Sequence, residues 1–229
     1  CSGGTFTVSP INGGGNVIPN GTTYSWSAPT VAGITGTTAG TNASSISGTL
    51  TNTTNAAINV VYTVTPSSAT TPACDGTSFT VTVTVAPTAT VSVQTQTICS
   101  GSNFTVTPSN GSGNIVPTGT TYSWSAPTVT GITGTAAGTN ASSISGSITN
   151  STNAAITVAY TVTPTSGSCT GTPFTVSIIV NPAPSITPQT TTICSEGVMT
   201  YSPSNGSGNI VPTGTTYSWT FADNANVSG

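Results

Sequence analysis

Apolar residues alternate with threonine, serine and asparagine along most of this chain, and the alternation has period two. Phe6 and Val8 flank Thr7, while Ile58, Val60, Tyr62 and Val64 interleave with Asn59, Val61, Thr63 and Thr65. Phe79, Val81, Val83 and Val85 repeat the pattern against Thr80, Thr82 and Thr84, and Ile46 and Leu50 flank Gly48 in a shorter run. Successive side chains of a strand point to opposite faces, so each run predicts a half-buried strand. Asn12 to Gly15, Asn20-Gly21, Asn110-Gly111 and Asn205-Gly206 punctuate the runs with residues that tolerate positive φ. No window shows a helical period with caps.

The same order of strands occurs again further on: Phe104 and Val106, Ile144 and Ile148, Ile156, Val158, Tyr160 and Val162, then Phe174 and Val176. Inward positions are kept and outward ones drift, as where Val61 becomes Ala159. Cys1, Cys99 and Cys194 mark the repeat, at spacings of 98 and 95 residues, each followed by a Tyr-Ser-Trp strand ending at Trp26, Trp124 or Trp219. Pro108–Trp124 returns letter for letter as Pro203–Trp219. A period of this length is a whole domain and not a solenoid unit. Three domains follow: residues 1–86 without their first strand, 87–181 complete, and 182–229 with nothing beyond the Trp strand. Six or seven short strands and one Trp per unit predict an all-β chain of tandem immunoglobulin-like sandwiches. Trp26, Trp124 and Trp219, with Tyr62 and Tyr160, are the expected core aromatics. Residues 88–97 are expected to form the first strand of the second domain. The short linkers Val85-Ala86-Pro87 and Val180-Asn181-Pro182-Ala183-Pro184 carry proline, which favours an elongated, stiff rod over beads on a flexible string.

Several stretches resemble a known family. Thr97-Ile98-Cys99-Ser100-Gly101, Tyr122-Ser123-Trp124, Cys169-Thr170-Gly171-Thr172-Pro173-Phe174 and Val180-Asn181-Pro182 are similar to PKD-like, immunoglobulin-like repeats. Such repeats occur in very large, type IX-exported, gliding-associated surface adhesins of Bacteroidetes-type bacteria. Trp219-Thr220-Phe221-Ala222-Asp223-Asn224 resembles the Trp-x-Phe-Gly-Asp-Gly strand end of PKD domains, with Ala222 and Asn224 in place of both glycines. Trp26-Ser27-Ala28-Pro29 and Trp124-Ser125-Ala126-Pro127 lack that motif. The resemblance implies a scaffold, in an adhesin or surface filament, and no activity.

Composition narrows the function. The 229 residues include no Lys, Arg or His and only three acids, Asp75, Glu196 and Asp223. Nothing can neutralise phosphates, so nucleic acid and anionic lipid surfaces are excluded as partners. Residues 99–193 hold no ionisable acid–base pair, and a Ser or Thr nucleophile would have no base, so catalysis is not expected. Three carboxylates cannot furnish the several ligands a calcium site needs, and no other metal or cofactor site is expected. No apolar stretch reaches the roughly 20 residues of a membrane span, and export and anchoring signals are expected outside these residues. With 26 Gly and 16 Pro the chain stays below the roughly 25–30% typical of low-complexity sequence, and its apolar residues are patterned, which favours a folded chain.

Cys1, Cys74, Cys99, Cys169 and Cys194 have no metal-type spacing and predict disulfides in an oxidising compartment. Pairing within a domain would give Cys1–Cys74 and Cys99–Cys169. In a seven-strand sandwich, however, the turn holding Cys99 and the hairpin holding Cys169 lie at opposite poles. A strand of seven to nine residues separates them by about 25–30 Å, whereas bridged Cα atoms lie under about 7 Å apart. Residues 30–44 decide the parity, because Val31–Gly36 supplies the extra strand. A clasp between neighbours, Cys1 with Cys169, is therefore favoured, with Cys74 reaching back to a preceding repeat and Cys99 forward.

Two functions follow from these features. The first is a structural stalk or filament segment of a repetitive bacterial cell-surface adhesin, its partners being neighbouring repeats and other copies aligned laterally. The second makes the repeats themselves multivalent glycan- or surface-binding modules. Threonine ladders such as Thr80, Thr82 and Thr84 would also suit an ice or mineral surface, but any outward sheet face in this chain shows them.

Overall fold

The computed structural model describes residues 1–222. Asp223 and Asn224, the end of the PKD-type strand motif, lie outside the described residues. The first repeat is built from β1 (Gly4–Val8), β2 (Thr23–Trp26), β3 (Ile34–Thr35), β4 (Gly40–Ala43), β5 (Ile46–Asn52), β6 (Ile58–Ser67) and β7 (Phe79–Val85). They form two sheets, β1-β5-β3 and β4-β2-β6-β7. Pairing of β6 with β7 sets Val60 opposite Val83, Tyr62 opposite Val81 and Val64 opposite Phe79. Their apolar faces therefore coincide, as a period-two register requires. In the facing sheet Phe6 lies opposite Gly48, and the missing side chain leaves the Phe6 ring room to reach Tyr62, 5.5 Å away between centroids.

The second repeat adds β8 (Gln94–Cys99), β9 (Asn103–Val106), β10 (Thr121–Trp124), β11 (Ile132–Thr133), β12 (Gly138–Ala141), β13 (Ile144–Ser147), β14 (Thr149–Asn150), β15 (Ile156–Ser166), β16 (Cys169–Thr170) and β17 (Phe174–Asn181). One sheet runs β12-β10-β15-β17-β8 with β16 on the flank of β15, and β9-β13 and β11-β14 face it. The chain is thus an all-β array of immunoglobulin-like sandwiches. The extra strand β8 lies parallel to β17, from Gln94 opposite Val176 to Cys99 opposite Asn181. It seals its neighbour: Phe174, Val176, Ile178 and Val180 are all buried, whereas Phe79 and Val83 of β7, whose outer edge is open, stay half-buried.

Regular strand begins at Gln94, later than the expected residue 88. Upstream of it the backbone is extended but turns away from the sheet, because Thr90 spends its N–H and C=O on Ile115 (2.8 Å each). The core aromatics also need correction. Tyr62, Tyr160 and Trp26 are buried, but Trp124 is only half-buried at the margin of its cluster. Trp219 is 85% exposed. Among the described residues 182–222 contain no strand. No helix among the described residues is long and apolar enough to cross a membrane.

Candidate functional site at the joint between repeats

In this molecule the polar side chains with the most partners gather where one repeat passes to the next. Asn52 is buried at the end of β5, and its Nδ2 donates to Ala56 O (2.7 Å) and to Val85 O (2.8 Å), the last residue of β7. Its Oδ1 accepts from the N–H and the hydroxyl of Thr54 (2.8 Å each). Ser2 completes the knot, its Oγ accepting from Asn52 N (2.9 Å) and donating to Asn52 O (3.1 Å), while Ser2 N donates to Ala86 O (2.8 Å). A buried amide with every group matched fixes backbone that would otherwise fray. Cys1 is thereby held at the pole from which the chain leaves the first sandwich.

From Ala86 the chain enters the second repeat as an extended strap. Pro87, Ala89 and Val91 are buried, Ala89 completely. Thr90 bridges Ile115, and Ser92 gives both its N–H (2.8 Å) and its hydroxyl (2.9 Å) to Asn114 Oδ1. On the far side of the strap the hairpin of β15 and β16 closes in, so tightly that a Cβ on Gly171 would collide with the Ala89 carbonyl oxygen. Glycine is required there by proximity and not by backbone angle. The same hairpin presents Cys169, only 1% exposed, and a disulfide joins it to Cys1 with the Cα atoms 5.5 Å apart. One loop of 168 residues' separation is closed by this bond, and it ties the exit of one sandwich to the entry of the next.

The second joint repeats the first as far as its residues extend. Asn150 binds Ala154 O and Val180 O (2.8 and 2.9 Å), Ser100 Oγ binds Asn150, and Ser100 N donates to Asn181 O (2.8 Å). The strap then bridges Ser185 to Ile210, and Thr187 donates to Asn209 Oδ1 through both N–H and hydroxyl (2.9 Å each). Cys99 stands exposed where Cys1 stands in the first joint. Cys74, the counterpart of Cys169, and Cys194 are exposed as well, and neither is bridged. Within the second repeat Cys99 ends β8 beside Asn181 while Cys169 precedes β17, so the eight residues of β17 stand between them, about 26 Å at 3.3 Å per residue.

Chemically the joint is a holding device. The titratable groups with displaced affinities are Tyr62, Tyr122 and Tyr160, whose phenols burial pushes above their usual range. The strand alternation did not single out Asn52, Asn150, Ser2, Ser100, Asn114, Asn209 or Gly171. A signal was present, because Ser2 and Asn52 recur as Ser100 and Asn150, and Asn114 as Asn209, at the spacings that separate the cysteines. In a chain crowded with Ser and Asn, polar recurrence is masked by composition.

Comparison with known proteins bears on the scaffold. A family model described as a PKD-like domain matches residues 1–89 and again 96–184. No curated protein matches the chain. Among solved structures, similarity is found to the protocadherin gammaB7 EC3-6 cis-dimer, at 12% identity and a TM-score of 0.26 over 71% of this chain and 41% of that one. The protocadherin gammaB4 extracellular domain is similar at 12% identity and a TM-score of 0.26, over 72% of this chain. This chain spans 28% of that second protein.

Proposed function

The chain belongs to the PKD-like domain family, and from that premise we propose that it is a segment of a load-bearing stalk or filament in an extracellular, cell-surface adhesin, a non-catalytic spacer giving length and rigidity. The observation that carries the reading is the joint: strap, buried asparagine knot and Cys1–Cys169 disulfide act on the one place where a string of domains would otherwise bend. A flexible linker lets neighbouring domains reorient freely, whereas this one spends its backbone bonds on the next repeat. The disulfide supports an oxidising, extracellular setting. The domain division 1–86, 87–181 and 182–229 and a clasp at every joint belong to the same proposal, with Cys74 reaching back and Cys99 forward. Lateral association with other copies fits a chain whose strands carry no charged side chains at their edges.

Small-angle scattering of the chain with and without reductant, joined to glycan-array binding in multivalent display, tests it. The expected result is an elongated particle whose inter-repeat angle spreads after reduction, and no saturable glycan binding. Saturable binding that is lost on replacing an exposed aromatic such as Tyr201 or Tyr217 would favour the glycan-binding reading instead.

A further inference from the structure

The cysteines divide the chain into segments of two kinds. Cys74 to Cys99 and Cys169 to Cys194 each span 25 residues, whereas Cys1 to Cys74 spans 73 and Cys99 to Cys169 spans 70. The short segment from Cys74 to Cys99 runs without reversal through β7, the strap and β8, which lies parallel to β17, the counterpart of β7. The long segment from Cys99 to Cys169 doubles back through β9 to β15 and holds most of its sandwich's core. The hairpins that present Cys74 and Cys169 match in register. Gly76 N donates to Pro66 O as Gly171 N donates to Pro164 O (2.8 Å each), and Ser68 lies across from Cys74 as Ser166 does from Cys169. Beyond those pairs the first hairpin tip holds residues 69–73 and the second only 167–168, so the difference between 73 and 70 lies wholly at the tip, within a long segment.

From this division we propose that the array carries tension along its short segments and leaves the sandwich cores in unloaded loops. Tension follows the shortest covalent route. Force applied at Cys1 crosses the disulfide directly to Cys169, so the chain of 168 residues' separation between them is bypassed. It then runs on through β17 and the next strap towards Cys194. With a clasp at every joint, Cys74 takes force from the repeat before and Cys99 hands it to the repeat after, which makes Cys74–Cys99 a second rail, parallel to the first and offset by one repeat. Both rails are already drawn out. Their 25 residues reach at most about 80–90 Å, and strands use nearly all of that reach, whereas a loop of 70 residues would pay out about 230–250 Å. The clasped array is therefore inextensible without any core having to resist the load, and reduction of the disulfides makes it extensible. The extra residues of the first hairpin tip fall on the unloaded side, where length does not slacken a rail. The load path rests on the clasp that belongs to the stalk reading.

Optical-tweezers stretching of the intact chain in two pulling geometries is the test. With handles on the two chain ends, the disulfide-bonded protein is expected to lengthen by no more than the residues after Cys169 allow, about 200 Å, and the reduced protein by about 500–600 Å more. With handles on the exposed thiols of Cys74 and Cys99, in a Cys194→Ser background, the bonded protein is expected to lengthen by less than about 30 Å, because the segment between them is already taut. Equal end-to-end lengthening of the bonded and reduced proteins would mean that no clasp closes the loop, and would overturn the stalk reading together with the load path. Lengthening beyond about 30 Å between Cys74 and Cys99, with the end-to-end difference intact, would overturn the load path alone.

Discussion

At the scale of single residues, stability rests on buried groups with every bond matched and on glycines that keep space clear. Asn150 joins the turn after β14 to the end of β17 through Ala154 O and Val180 O. Asn150→Ala would remove the side-chain donor from the buried Val180 carbonyl, while Ala154 O keeps its bond from Thr152 Oγ1, so a loss of about 1–3 kcal/mol is expected in urea unfolding. Trp26 and Trp124 each donate Nε1–H to a carbonyl, Thr38 O and Ala136 O (3.0 Å each), and lay the ring over Gly40 or Gly138. A methyl at either glycine would strike the indole. Gly138→Ala should cost about 1–3 kcal/mol, with a shifted Trp124 emission maximum as the accompanying sign.

At the scale of elements, strands that share one sequence pattern differ in what covers them. β7 and β17 alternate alike, and β17 is flanked over six residue pairs by the parallel β8 of its own repeat. The strap is seated on the second repeat, with the Ala89 carbonyl against Gly171. Gly171→Ala is therefore expected to destabilise the second repeat by about 1–3 kcal/mol, since the Ala89 carbonyl cannot retreat without breaking the Thr90–Ile115 bridge. The matched change Gly76→Ala should leave stability within about 0.5 kcal/mol. Parallel denaturation curves of the two variants decide between them, and equal effects would mean that the strap does not set the need for glycine.

At the scale of the whole molecule, two properties follow from composition and connectivity. Tyr62, Tyr122 and Tyr160 have phenol affinities raised by burial, so the folded state favours their neutral form. That stability is complete below the unfolded tyrosine value near 10 and is lost as pH rises through the folded values. With no Lys, Arg or His to titrate, unfolding followed by circular dichroism should show a fall in stability above about pH 10. The Cys1–Cys169 bond closes a loop whose chain-entropy value is about 5 kcal/mol at this separation. Because its ends lie on different sandwiches, Cys169→Ser should loosen the joint and leave both cores folded. The expected signs are faster amide exchange at Ser2 and Ala86–Ser92 and unchanged protection in β6 and β15.

The period-two alternation determined the strand content, the inward faces and the fold class, because burial of one sheet face leaves a local signature at every second residue. The repeat of Cys and Tyr-Ser-Trp determined that like domains follow one another. The recurring block Pro108–Trp124 gave no hint that its Asn114-Ile115 corner is the seat of the incoming strap, since those contacts join residues 22 to 25 positions apart, outside any regular strand. What the tertiary structure decided was the joint: it carries the Cys1–Cys169 pairing that strand parity had favoured over Cys1–Cys74, and it sets Gly171 against Ala89. These depend on the direction of strands and the packing of two domains against a shared segment, and neither leaves a periodic mark along the chain.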